Sequence, residues 1–184
     1  MLARILGSEL GSRGVESEYI RTVEHSILPG VTSDEGNGDG WPPLRRKILS
    51  AEILVLASPT WVGRMSSEAQ RVLERLNGLF REEDEQGRPP AYNHVAGFLA
   101  TGNSDGAKHV IGEMIAACSE IGFSIPGQSW AYFNHGSAAG PEMVKSAAAK
   151  LKRSRWMAAV AASNLVAAAE AIKAKPFPAP PKSK

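Results

Sequence analysis

Two short segments hold most of the residue types from which a small-molecule site can be built. They are Ser58-Pro59-Thr60-Trp61-Val62-Gly63 and Thr101-Gly102-Asn103-Ser104-Asp105-Gly106. In the first, proline stiffens the chain, glycine lets a backbone pass close to a ligand, and Thr60 supplies a short hydroxyl. Trp61 adds a large flat surface beside them. A planar heteroaromatic ligand needs that combination, with amides along its edge and an aromatic or apolar face above it. The same residues also suit an ordinary strand-to-helix turn with a tryptophan over the core. In the second segment, two glycines around Asn and Asp permit positive φ and expose N–H groups at a helix start.

Other chemistries compete for some of these residues. Gly102-Asn103-Ser104-Asp105-Gly106 matches G-x-S-x-G between a strand pattern and a helix pattern, the setting of a nucleophilic serine. Glu113 or Glu120 with His135 would complete a Ser104 hydrolase, but both glutamates read as helical, whereas the usual acid comes from a loop. His109 and Glu113 stand four apart, a spacing that suits a metal or, more simply, a solvated ion pair. Asp34, Glu35 and Asp39 form an acidic cluster without the liganding order of a calcium loop. Arg81-Glu82-Glu83-Asp84-Glu85 reads as a solvated loop. Cys118, among Ile115, Ala117 and Ile121, reads as a small buried hydrophobe. Trp130, Tyr132 and His135 sit where a last strand ends and suit either a ligand or the core.

The whole chain narrows the field. Its 184 residues make one domain, and 21 Lys+Arg against 19 Asp+Glu give a net charge of +2. That balance offers no basic stripe for nucleic acid. A single cysteine excludes an internal disulfide framework and a multi-cysteine zinc site. No uninterrupted apolar run reaches the roughly 18–20 residues of a membrane span, and the start lacks the pattern of a signal peptide. A cytoplasmic protein without nucleic-acid or membrane partners is the expectation.

The elements that must position the two segments follow from periodicity. Leu2, Ile5, Leu6 and Leu10 carry a helical stripe that stops at Gly11 and Gly14. Val15–Val23 is expected as a sheet-edge strand, and residues 26–43 as a long Gly/Pro/Asp loop. Asp39 can cap a helix over 41–50. The apolar run Ile53–Ala57 predicts a strand buried on both faces, followed by a turn over 59–65. Ser66 or Ser67 can cap a helix to about Phe80. Val95–Thr101 repeats the buried strand, a helix over 107–121 ends at Gly122, and Phe123–Ile125 and Trp130–Phe133 are extended. An Ala-rich helical region then runs to about Lys173, ~50 Å if unbroken, so a break near Lys152–Arg155 is expected. Residues 1–174 read as one domain and 175–184 as a Pro-rich disordered tail. Such alternation demands an α/β architecture, a mostly parallel sheet with helices on both faces and ligands beyond the strands' carboxyl ends.

The blocks Ala51–Gly63 with Ser66–Arg75, Val95–Ala107, and Gly122–Pro126 with Trp130–Phe133 resemble the flavodoxin-like fold. More narrowly, they are similar to NAD(P)H-dependent FMN reductases, over most of residues 15–173. The resemblance implies a three-layer fold and noncovalent FMN. It places the isoalloxazine ring between Ser58, Pro59, Thr60, Trp61, Val62 and Gly63 on one side and Thr101, Gly102, Asn103 and Gly106 on the other. NAD(P)H would be the electron donor, with flavin or a small acceptor such as a quinone reduced; homo-oligomers are common in this class. No catalytic side chain is implied, because hydride transfer to flavin needs none. The resemblance also implies a leading strand and a Ser/Thr-rich phosphate loop, whereas the sequence opens within what reads as the first helix. An upstream extension of roughly 25–35 residues is therefore expected. The alternative is a degenerate flavodoxin-like module without flavin, acting through protein contacts.

Overall fold

Apolar runs too short for helices and flanked by turn residues become strands, and amphipathic segments between them become helices. In chain order these are α1 (Leu2–Gly11), α2 (Trp41–Ser50), β1 (Ile53–Trp61), β2 (Arg64–Met65), α3 (Ser67–Leu76), β3 (Val95–Gly102), α4 (Ala107–Ile121), β4 (Trp130–Asn134) and α5 (Pro141–Ala174). The structure, a computed structural model, describes residues 1–36, 38–102, 106–134 and 141–181, with side chains from 150 onward in α5.

The sheet has the order β2-β1-β3-β4. β1 runs parallel to β3, from Ile53 opposite Val95 to Pro59 opposite Thr101. β3 runs parallel to β4, from Phe98 opposite Trp130 to Gly102 opposite Asn134. Because neighbours in register point the same way, side chains sort cleanly onto two faces. Phe98 and Ala100 face α2, α3 and α4, meeting Trp41, Leu44, Leu76 and Met114. Leu99, Ala131 and Phe133 face the other way, onto Leu2, Leu6 and Leu10 of α1 and onto Met157, Ala158 and Ala161 of α5. The expected three layers are present, and the carboxyl ends of β1, β3 and β4 lie along one edge.

Four expectations need correction. Residues 15–21 form no strand, and Thr22–Glu24 is a 3₁₀ turn; no strand pairs with this segment among the described residues, and Tyr19 and Val23 stay exposed. β1 is half-buried over Ile53–Leu56 rather than enclosed. On its side away from β3, among the described residues, only β2 pairs with it, at Thr60 and Trp61. α3 stops at Leu76 and tightens into a 3₁₀ turn through Arg81. α5 runs unbroken for 34 residues. Its middle is fastened to the sheet, where the Ser154 hydroxyl lies 2.7 Å from the carbonyl of Tyr132 and 3.0 Å from that of Lys150. Ala158, Ala161 and Ala162 then let its backbone lie close against α1 and the sheet. By length and composition Lys150–Ala174 is apolar enough to cross a membrane, yet this inner stripe is engaged by the domain's own core.

Caps follow the sequence more closely. Ser66 accepts the Ala69 N–H at 3.2 Å and starts α3. Asp39 accepts the first N–H of α2, from Trp41, at 3.0 Å. The same carboxylate accepts from the amides of Leu28 and Glu35 and pairs at 2.6 Å with Arg75. Neither partner's side chain is exposed to solvent. The acidic cluster is thus a latch holding the loop over 26–40 onto α3, and its hydrogen-bonding commitments account for Asp39 without calcium.

Cys118 sits fully inside α4, and burial pushes its thiol up to about 12. Because the thiolate is the reactive species, the folded chain should leave this thiol unmodified by a disulfide reagent at pH 8. One equivalent should react once urea unfolds the protein. Rapid labelling of the native chain would contradict this burial.

Candidate functional site

β1 does not end where its apolar run does. It continues through Ser58, Pro59 and Thr60 to Trp61, turns at Val62 and Gly63, and returns as β2, with Thr60 opposite Met65 and Trp61 opposite Arg64. Both turn residues have positive φ, 49° and 74°, the backbone of a tight two-residue hairpin whose twist matches the strands it joins. The segment over 59–65 is therefore a strand extension and a hairpin, not a plain turn. The missed signal is the Val-Gly pair flanked by residues able to pair.

The hairpin is clamped at its base. The Ser58 hydroxyl accepts the Ser66 N–H at 3.0 Å and lies 2.8 Å from the carbonyl of Pro59, so it is already engaged in joining strand to helix. At the tip, Arg64 pairs with Glu113 of α4, and His109 meets the same carboxylate at 3.1 Å. His109 and Glu113 are thus parts of a hairpin-to-helix tie, and no group of three candidate metal ligands occurs among the described residues. Val62 is fully exposed and Trp61 is 64% exposed, which leaves the indole free to cover something else.

The second segment meets the first at this edge. Gly106 starts α4 with φ 115°, and a Cβ there would stand 2.8 Å from the Cα of Gly63. Only glycine permits that approach. Gly102 lies beside Thr60, where a Cβ would come within 2.9 Å of the Thr60 Cβ. Thr60 and Gly102 share the face covered by α4, whereas Pro59 and Thr101, one register earlier, turn toward the α5 side. Asn103, Ser104, Asp105 and His135 lie outside the described residues, so the hydrolase arrangement has no geometry to report.

Two polar atoms at this edge lack partners. Thr60 is only 6% exposed and its Oγ1 makes no hydrogen bond. Asn134 Oδ1, at the end of β4 and in register with Gly102, is also buried and unpaired. An unsatisfied buried polar group costs about 1–3 kcal/mol, so a folded chain keeps few of them. Here they bracket the one position of the row that has no side chain. A flat ligand with donors and acceptors along its edge suits such a strand end, and Trp61, which alternates to the opposite face from Thr60, is exposed at the same edge. FMN has that chemistry, and the residues present suit it. Asn134, a further candidate, carries no signal in the sequence, because its place depends on where β4 ends, which composition does not show.

The sheet order, the two helical layers and the strand-end cradle define a flavodoxin-like α/β protein. The family described as NADPH-dependent FMN reductase matches residues 1–138, and the chain belongs to it. The chain is 33% identical over 141 residues to the 8-demethyl-8-aminoriboflavin-5'-phosphate synthase of Streptomyces davaonensis, across 72% of this chain and 55% of that protein. It is 38% identical over 120 residues to a protein of Mycobacterium bovis named divalent metal cation transporter MntH, across 63% of this chain and 18% of that one. The chain thus spans little more than half the length of one curated relative and less than a fifth of the other. The crystal structure of RosB with bound 8-demethyl-8-formylriboflavin-5'-phosphate superposes with a TM-score of 0.83 at 28% identity, covering 96% of this chain and 73% of that one.

Proposed function

We propose that the chain binds FMN at the carboxyl edge of β1 and β3 and acts as an NAD(P)H-dependent oxidoreductase, reducing flavin or a small acceptor such as a quinone. The observation that carries this reading is the meeting of the two segments. Gly63 touches Gly106, Gly102 touches Thr60, and an unpaired hydroxyl and an exposed indole stand at the same edge. Membership of the FMN reductase family supports it. When bound, FMN supplies the hydride and one-electron chemistry, and the protein supplies position and surroundings.

Each residue then has a defined task. Pro59, Val62 and Gly63 set the hairpin's path, and Ser58 locks its base. Thr60 offers its hydroxyl and Trp61 its ring face. Gly102 and Gly106 keep the space clear, and the sequence of the second segment adds the hydroxyl of Thr101 and the amide of Asn103. A cytoplasmic setting and small-molecule partners accompany this reading, as does a homo-oligomer in which a second subunit covers the exposed indole. Likeness to a synthase and to RosB favours a second reading, in which a riboflavin 5'-phosphate is itself the substrate.

Adding the chain to FMN should quench flavin fluorescence with micromolar affinity. Trp61→Ala should weaken that binding by about tenfold, the value of one aromatic contact. Protein that leaves FMN fluorescence unchanged would overturn the proposal and favour a flavin-free module. Conversion of the bound flavin without net reduction of an acceptor would select the second reading.

A further inference from the structure

α5 carries no charged residue from 156 to 169, although only one side of it meets the core. Ser154, Ala158, Ala161 and Leu165 lie on that buried side. With 3.6 residues per turn, the line opposite them is Lys152, Trp156, Ala159, Ser163, Val166 and Glu170. Trp156 is 62% exposed, Lys152, Ser163 and Glu170 are exposed, and Ala159 and Val166 are half-buried. A helix side that faces water is ordinarily polar, whereas this one is aromatic and aliphatic at its centre. Of the helix's most apolar 18-residue stretch, 28% is buried within the domain. The steps along the outer line alternate between four and three residues, the repeat of a seam on which a second helix packs. Its two ends carry opposite charge. Lys152 has Arg153 and Arg155 beside it, Glu170 closes the far end, and none of the four makes an ion pair among the described residues.

A seam that is basic at one end and acidic at the other complements a copy of itself turned end for end. We propose that the outer side of α5 is a dimer interface, on which a second copy of the chain packs its own α5 antiparallel. The two-fold relation makes every contact reciprocal. Lys152 of each copy then faces Glu170 of the other, Trp156 faces Val166, and Ala159 faces Ser163. The small central side chains let the two helices approach closely, and the indoles fill the space on either side of them. The seam is about 27 Å long at 1.5 Å per residue. A parallel pair would set like charges against each other at both ends. An anionic lipid surface would attract the basic end but repel Glu170, and would gain little from Ala and Ser. This surface is separate from the hairpin that carries Trp61, and it does not depend on the flavin reading.

Sedimentation of the chain, with or without FMN, should show a dimer at micromolar concentration. Lys152→Glu makes both ends of the seam acidic and Glu170→Lys makes both basic, so each variant alone should dimerise at least about tenfold more weakly. Mixed in equal amounts, the two variants should recover a one-to-one dimer, because every end again meets its opposite. Trp156→Ala should weaken the wild-type dimer by about tenfold through lost packing. All three positions are exposed, so each variant should melt with the wild-type chain. A wild-type chain that stays monomeric overturns the proposal, as does a dimer that none of these substitutions weakens. Single variants that dissociate but do not recombine overturn it too, because the charged ends then do not face each other. So does a monomeric chain that co-sediments with vesicles of phosphatidylcholine and phosphatidylglycerol, which would make this side of α5 a lipid-facing surface.

Discussion

Asp39→Ala is expected to destabilise the fold by about 3–5 kcal/mol, the cost of leaving a buried charge without its partner. Arg75 is completely buried, its Nη2 lies 2.6 Å from Asp39, and it also meets Glu35 at 3.7 Å, the Leu28 carbonyl at 3.3 Å and the Trp41 ring, whose centroid lies 5.9 Å from its Cζ. The same substitution deprives three backbone amides, those of Leu28, Glu35 and Trp41, of their acceptor. Arg75→Met should cost less, because the carboxylate left behind keeps those amide bonds. Urea unfolding of both variants measures the asymmetry, and an Asp39→Ala midpoint equal to that of Arg75→Met would refute it.

The latch also sets an acid limit. Burial alone would raise the Asp39 carboxyl, but hydrogen bonds from the Glu35, Trp41 and Leu28 amides, with Arg75 beside it, hold it below its ordinary value. A carboxyl depressed in the folded state contributes stability that is present above its unfolded value, about 3.9, and is lost as pH falls through the lower folded one. Stability of the wild-type chain should therefore drop through that acid range. Asp39→Asn, unable to titrate, should show a shallower fall.

What the sequence disclosed depended on how local the cause was. The run Val95–Thr101 is apolar on both faces and became the enclosed strand β3, while Ser66 and Gly122 bounded their helices as their side-chain chemistry dictates. Tyr19 and Val23 carry strand-like residue types, but pairing requires a neighbour, and none lies alongside among the described residues. The Ala-rich α5 offered a length that looked excessive for the domain, yet nothing local in Lys152–Arg155 breaks a helix. Ser154 bonds back along the turn and across to β4 instead. At the candidate site, Thr60, Trp61, Gly102 and Gly106 stand out by residue type. Asn134 does not, because its place beside Gly102 follows from register between strands some 30 residues apart, and register is not written in either strand alone.

The cradle makes a sharper demand on Gly106 than on any other glycine of α4. Its φ of 115° is strained for any side chain, and a Cβ would stand 2.8 Å from the Gly63 Cα and 3.0 Å from the Gly63 carbonyl oxygen. Both obstacles are backbone, so no rotamer change relieves them; the hairpin carrying Trp61 must move. Gly106→Ala is therefore expected to lower FMN affinity by roughly 10–100-fold while costing the fold only about 1–3 kcal/mol of local strain. Gly112 supplies the control within the same helix. A Cβ there meets nothing within 4 Å, so Gly112→Ala should leave flavin binding unchanged and, by helix propensity, stabilise α4 by about 0.5–1 kcal/mol. Thermal melting and flavin titration of the two variants separate the effects. If Gly106→Ala binds FMN as tightly as Gly112→Ala does, the contact between hairpin and α4 does not shape the flavin site, and the ring must lie elsewhere along the strand ends.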